Sequence, residues 1–391
     1  MTIVIADAPP LAGIRQRIQQ LSDRFAKILG TSGGRLYYID DPGNLVTVFI
    51  SPEKPVSNLW SWMRNPRMDE SGITHWIPPA ELPFGYHSRP INQWNHLLYR
   101  IALGSRYRPS DGPVLLIVCN VLGLGWLGRL GEDYVIYDCA DEISEFRQAS
   151  LKRDAVLAQE RELISRADAV VTTAQSLLEK KSEGAKRSKL IRNAADVGHF
   201  RSTITEDWKI PSDLENLQKP VVGYIGFLAE WLNWPLIKHV VENGQEFEWV
   251  FIGPASRNLA EFESLPNFHW LGKKPYDELP AYLSHFSCAH IPFDLTPLTV
   301  HVNPVKLYEY LASGLPVVAT PLPELDAYRD VCEITNDPDE YLEAVRWAVE
   351  NDSALQRNER CRRVENETWD ARISEYCELI NELVGSGRNT S

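Results

Sequence analysis

The 391 residues, 44% of them apolar, suffice for two domains with full cores, and only the polar tail from Gly385 to Ser391 lacks the composition to fold. The net charge of −13 is lopsided: residues 1–215 carry 26 basic and 26 acidic side chains, whereas 216–391 carry 14 and 27. This excludes nucleic acid as a partner of the second half and leaves the first half as the only candidate for an anionic surface.

The six cysteines, Cys119, Cys139, Cys288, Cys332, Cys361 and Cys377, show no CxxC or metal-ligand spacing, so reduced core cysteines of a cytoplasmic protein are expected. The start of the chain has no basic head and contains Asp7, which reads as a first strand and not an export signal. The longest uncharged run, residues 113–128, is interrupted by Asn120 and glycines and is too short to cross a bilayer.

In chain order, Thr2 to Ala6 is an apolar strand, and Ile14, Ile18, Leu21, Phe25 and Leu29 mark one stripe of a helix over 14–29. This is the opening unit of a doubly wound domain, whose ligands lie at the carboxyl ends of strands; Gly13, Arg15 and Arg17 are therefore candidate cleft residues. Strands are expected at 35–39 and 45–50. From Ser57 to Arg108 the chain reads as irregular, mixing Trp60, Trp62, Met63, Trp94, Leu97, Leu98 and Ile101 with Arg64, Arg67, Arg100, Arg106 and Arg108. Such a mixture suits either the interface of an anionic membrane or the packing of an acceptor-side subdomain.

After a strand at 114–119, residues 123–128 spell a literal GxGxxG. The next strand, 134–138, follows six residues later, which leaves no room for the helix that would hold a pyrophosphate, so the match is rejected. Asp141, just past that strand, is a candidate for a carboxylate near a reacting group or for a helix N-cap. A helix over 151–166 and a strand over 169–172 follow, then a polar linker at 207–220. A second doubly wound domain opens with the strand Val221 to Gly226, where the terminal glycine permits close backbone approach of a ligand.

The most informative stretch runs from Asn303 to Thr320: a loop, a short helix and a buried strand. Pro304 suits the helix start and Gly314 its end, and 315–319 has the unbroken apolar character of a central parallel strand. Lys306 and Glu309, three apart, share one helix face. A helix start with a lysine suits a diphosphate, and a carboxylate one turn on can accept hydrogen bonds from the vicinal hydroxyls of a ribose. By spacing alone the pair is more readily a surface Lys–Glu contact that supports the helix.

Pro304-x-Lys306-x-x-Glu309-x-x-Ala312-x-Gly314-x-Pro316-Val317-Val318 resembles the donor-binding signature of retaining glycosyltransferases of the family-four type. Ile14 to Leu21 and Tyr137 to Phe146 resemble the bacterial envelope-polysaccharide branch of that family, which includes enzymes of teichuronic acid synthesis. The resemblance implies an α/β fold of two Rossmann-like domains facing a cleft (GT-B). It implies an acceptor-side domain at 1–210, a donor domain at 211–368, a returning helix at 369–385 and a tail at 386–391. Glu309 would hold the donor ribose and Lys306 a donor phosphate, Gly226 would let the donor approach, Asn303 would line the cleft, and His301 and Asp141 would lie by the reacting sugar. His301 stands where many members have a second glutamate, and the loop 227–234 carries Glu230 and Trp231 where many carry Arg and Lys.

The expected activity is hexose transfer from a UDP- or GDP-type sugar to a saccharide or lipid-linked acceptor, without metal. The expected partners include a membrane surface touched by the first domain. A nucleotide-sugar epimerase and a non-catalytic binding module are the rivals.

Overall fold

The computed structural model describes residues 1–9, 15–41, 66–146 and 153–386. The chain divides into two compact units, Met1–Arg192 with Arg372–Ser391, and Asn193–Ala371.

The sheet of the first unit contains β1 (Thr2–Ala8), β2 (Arg35–Asp40), β3 (Arg67–Met68), β4 (Ile73–Trp76), β5 (Val114–Val118), β6 (Tyr134–Cys139), β7 (Ala169–Thr172) and β8 (Ser188–Leu190). The order is β3-β4-β2-β1-β5-β6-β7-β8. All neighbours are parallel except the edge pair β3 and β4. The central strands are apolar without alternation because helices cover both faces: every residue of Val114–Val118 is buried.

The first helix, Arg17–Ser32, opens with a capping box between Gln16 and Gln19 and ends at Gly33 in the left-handed region. The stretch read as irregular in fact contains β3, β4 and the helix Arg89–Leu103. The expected strand at 45–50, and Trp60, Trp62, Met63 and Arg64, lie outside the described residues. The glycine run 123–128 forms a 3-10 turn over Val121–Gly125, packed on the helix Arg89–Leu103.

The second unit is a six-stranded parallel sheet of β9 (Val221–Ile225), β10 (Glu248–Ile252), β11 (Phe268–Trp270), β12 (Cys288–Ile291), β13 (Val317–Ala319) and β14 (Glu333–Ile334). Its order, β11-β10-β9-β12-β13-β14, is that of a dinucleotide-type fold, with the reversal between β9 and β12. The core is rich in fully buried aromatics, among them Trp249, Tyr224, Tyr310 and Tyr341.

The observed unit boundary at Arg192/Asn193 lies ahead of the linker expected at 207–220. The reason is the helix Val197–Thr205, which packs within the second unit: Phe200 is buried, Thr203 Oγ1 donates to the Ser313 carbonyl at 3.1 Å, and His199 stacks on Tyr276 with centroids 4.7 Å apart. At the other end, residues from Arg372 onward in the helix Trp369–Gly385 belong to the first unit. Tyr376 lies edge-on to Phe25 there, with centroids 5.8 Å apart. All six cysteines are free, four of them buried.

Candidate functional site

In an open parallel sheet the ligand crevice lies beyond the carboxyl ends of the strands flanking the reversal, here β9 and β12. Gly226 follows β9 directly. The helix Val305–Ala312 runs beside it because Leu307, Tyr308, Tyr310 and Leu311 bury an apolar stripe while Lys306 and Glu309 fall on the opposite side. Gly314, at φ +73°, ends the helix: the Gly314 and Leu315 amides donate to the Leu311 and Tyr310 carbonyls at 3.0 and 3.1 Å, a Schellman closure.

Tyr310 fixes the helix against the sheet, its hydroxyl accepting the Ile225 amide at 2.8 Å. The consequence is close approach of Lys306 to the strand end. A β-carbon on Gly226 would fall 2.1 Å from Lys306 Cε and 2.7 Å from Nζ, so only glycine leaves room for this lysine. The neighbouring strand end is equally tight: Gly253 has φ +140°, and a β-carbon there would lie 1.9 Å from the Gly226 carbonyl oxygen.

Lys306 Nζ sits 5.4 Å from the centre of the Tyr224 ring and 5.9 Å from that of Phe293. Lys306 and Glu309 are half-buried, and among the described residues neither side chain has a hydrogen-bond or ion-pair partner. Burial lowers the Lys306 pKa, with Glu309 partly opposing the fall. Burial pushes Glu309 up to about 7, against the pull of Lys306. Two partly desolvated groups with unspent hydrogen-bonding capacity, side by side at the reversal point of a parallel sheet, make a site that can take an anion and a diol together.

Asn303 proves to be a positioning residue. Its side-chain oxygen accepts the Asn193 amide at 2.9 Å, and its amide nitrogen donates to Tyr308 Oη at 2.9 Å and to Glu324 Oε2 at 3.2 Å. The side chain is thereby spent on holding the loop ahead of the helix. His301 ends a 3-10 turn, Thr299–His301, and is half-buried. In the loop 227–234, Glu230 is exposed, and the backbone is pinned by Asn233 N to Pro292 O and Asp294 N to Trp231 O, both at 2.8 Å.

In the first unit, Asp141 follows β6, half-buried; burial and the charge of Asp138 raise it to about 6, while Arg17 opposes. It caps no helix, since a 3-10 turn, Ile143–Glu145, begins after Glu142. Arg17, expected at the cleft, is instead buried. Its Nε lies 3.2 Å from both Asp138 oxygens, and Tyr376 Oη donates to Asp138 Oδ2 at 2.7 Å. Arg15 is half exposed and pairs with Asp23 at 3.1 Å. Gly13 lies outside the described residues.

Sequence reading missed a second polar focus at the carboxyl end of β1. Asp7, at φ +50°, meets His96 Nε2 at 3.1 Å, and its carbonyl accepts Asn120 Nδ2 at 2.7 Å. Nearby Glu81 is buried and pushed up to about 8 by desolvation, with Asp41 and Asp7 adding. The positive φ of Asp7 has no counterpart in composition; only the Asp-Ala-Pro-Pro break hinted at a special turn.

Residues 219–351 match the family model described as glycosyl transferases group 1. A Bacillus subtilis (strain 168) protein named as a candidate teichuronic acid biosynthesis glycosyltransferase, TuaH, is 29% identical over 210 residues. That match takes in 49% of this chain and 51% of TuaH, so the chain spans about half the length of this curated relative. Among solved structures, sucrose-phosphate synthase from Thermosynechococcus elongatus superposes with a TM-score of 0.71 at 14% identity, covering 99% of this chain and 100% of that one. Anabaena HepE, solved in complex with UDP-glucose, gives a TM-score of 0.63 at 14% identity, covering 98% and 100%. Residues 219–351 of the second unit are thus similar to group 1 glycosyl transferases, in a chain of GT-B fold.

Proposed function

We propose that this protein is a glycosyltransferase that passes a hexose, with retention, from a nucleoside diphosphate sugar to a saccharide or lipid-linked acceptor of the cell envelope. The observation that carries the reading is the Lys306 and Glu309 pair on one helix face, without a hydrogen-bond or ion-pair partner among the described residues, beside Gly226 at the β9/β12 reversal. Lys306 and the first amides of the helix Val305–Ala312 face the diphosphate and stabilise it as it leaves; Glu309 accepts the ribose hydroxyls. The chemistry is read as needing no metal, because the leaving charge is met by that lysine and those amides.

UDP is the favoured nucleotide, since HepE, a structural relative, was solved with UDP-glucose. Asp141 and His301 are assigned to the reacting sugar and acceptor hydroxyl. The envelope role is supported by the similarity to TuaH, and in our reading the enzyme lies on the cytoplasmic side, at a membrane touched by the first unit.

A thermal-shift panel of UDP-, GDP- and dTDP-sugars tests the donor site. At a hundredfold excess over Kd, a ligand of the native state adds about 2.7 kcal/mol of stability. One nucleotide series is expected to raise the wild-type Tm, with Lys306→Ala and Glu309→Ala both losing the response. A panel with no response, or variants that respond like wild type, would sink the proposal. Acceptor-dependent product formation then separates transfer from isomerisation of the donor.

A further inference from the structure

The helix Arg89–Leu103 is amphipathic the wrong way round for a soluble fold. Beside Tyr99 and Leu103, its buried side carries the polar Asn92, Asn95 and His96. These are held by polar contacts: Asn92 Nδ2 donates to Gln159 Oε1 at 3.2 Å, Asn95 binds both backbone groups of Leu82, and His96 meets Asp7. The opposite stripe, Trp94, Leu97, Leu98 and Ile101, is exposed, Trp94 by 60% and Ile101 by 66%. Leu82, tied to Asn95, and Phe84, 63% exposed at φ +74°, add to it. Six of the thirteen exposed large hydrophobic residues among those described fall in residues 82–110, so the patch is concentrated and not scattered.

The charged residues of this stretch are of one sign. Residues 82–110 contain Arg89, Arg100, Arg106 and Arg108 and no Asp, Glu or Lys, in a chain of net charge −13. Arg89 pairs with Glu162. Arg100, Arg106 and Arg108 donate to neutral carbonyls, of Arg129 and Gly104, of Ala102, and of Ser105, and among the described residues none of the three pairs with a carboxylate. A second copy of this chain would set arginine against arginine, whereas an anionic lipid surface complements both the charge and the apolar stripe. Among the described residues no helix is long and apolar enough to cross a membrane, so contact at the surface is the mode this helix offers.

We propose that this face seats the protein on an anionic bilayer, with Trp94, Leu97, Leu98 and Ile101 entering the headgroup region and the arginines meeting lipid phosphates. The inference deepens the acceptor side of the function proposed above, yet its test requires neither donor nor turnover. The full chain is sedimented with vesicles of phosphatidylcholine alone and of phosphatidylcholine with phosphatidylglycerol. Binding is expected only to the anionic vesicles, weakening as salt is raised.

The doubles Trp94→Gln/Ile101→Gln and Arg106→Gln/Arg108→Gln, each with an unchanged Tm, are expected to bind about tenfold more weakly or worse. Lys306→Ala is expected to bind like wild type. Wild type that ignores both vesicles, doubles that bind like wild type, or a face whose changes only turn a dimer into monomer would each overturn the proposal. Vesicle binding with no response to any nucleotide sugar would uphold it while removing the donor reading.

Discussion

At the scale of single residues, Glu309 is a carboxyl that the fold holds at a cost. Its pKa is pushed up to about 7, so the folded state retains a proton that the unfolded chain releases near 4.5. The stability linked to that proton is fully present below about 4.5 and is lost as pH rises through 7. Glu309→Gln is therefore expected to match wild type near pH 5 and to exceed it by about 1–2 kcal/mol at pH 8, read from denaturant melts. Equal stabilities at pH 8 would mean that the carboxyl is not desolvated.

The same titration governs ligand binding, because the ionised form is the better acceptor for ribose hydroxyls. Wild-type affinity for the nucleotide is expected to rise about tenfold from pH 6 to pH 8, with a flat and weaker profile in Glu309→Gln. The common face of Lys306 and Glu309 was legible beforehand from their three-residue spacing on a short helix, whereas their assignment to a donor rested on the resemblance. The roles of Arg17 and Asn303 were not legible, since what decides whether an arginine or an amide serves a ligand or the core is a partner remote in sequence. For Arg17 these are Asp138 and Tyr376; for Asn303 they include Asn193, 110 residues away.

At the scale of elements, two glycines at adjacent strand ends make separable predictions. A β-carbon at Gly226 meets the far end of a flexible lysine, which can swing away, and the Tyr224 hydroxyl at 2.8 Å, but no backbone atom that close. Gly226→Ala is thus expected to fold with a Tm within a few degrees of wild type and to lose at least tenfold in nucleotide affinity, measured by calorimetric titration. A β-carbon at Gly253 meets the backbone of Gly226 at 1.9 Å, and φ there is +140°. Gly253→Ala is expected to destabilise by about 3 kcal/mol or more, with a loss of soluble yield. Reversed outcomes would show that the strand ends are not packed as described.

The parallel strands could be read from sequence because burial on both faces leaves unbroken apolar runs. The helix Arg89–Leu103 could not, because a stripe of its apolar residues points outward while its packed side mixes Asn92, Asn95 and His96 with Tyr99 and Leu103. The helix Ala354–Arg363 was equally hidden: it buries only Arg360 and Cys361, and so shows almost no apolar period.

At the scale of the whole molecule, the two units differ in continuity. The second is a single run, Asn193–Ala371, whereas the first is completed by Arg372–Ser391. The sequence resemblance anticipated a returning C-terminal helix, but not its means of attachment, which is a buried network within the first unit. Tyr376 Oη donates to Asp138 Oδ2 at 2.7 Å and accepts from Arg17 at 3.3 Å, while Ile373, Leu379, Ile380 and Leu383 are buried alongside. Removing the hydroxyl leaves a buried carboxylate short of one donor, which costs about 1–3 kcal/mol. Scanning calorimetry of Tyr376→Phe is accordingly expected to show one transition lowered and a second, the one that responds to nucleotide, unmoved. A chain ending at Ala371 is expected to lose the first transition and keep the second, because only the first unit is left incomplete. If the hydroxyl deletion shifts both transitions together, the units unfold as one cooperative body, and the division drawn from their internal packing has no thermodynamic counterpart.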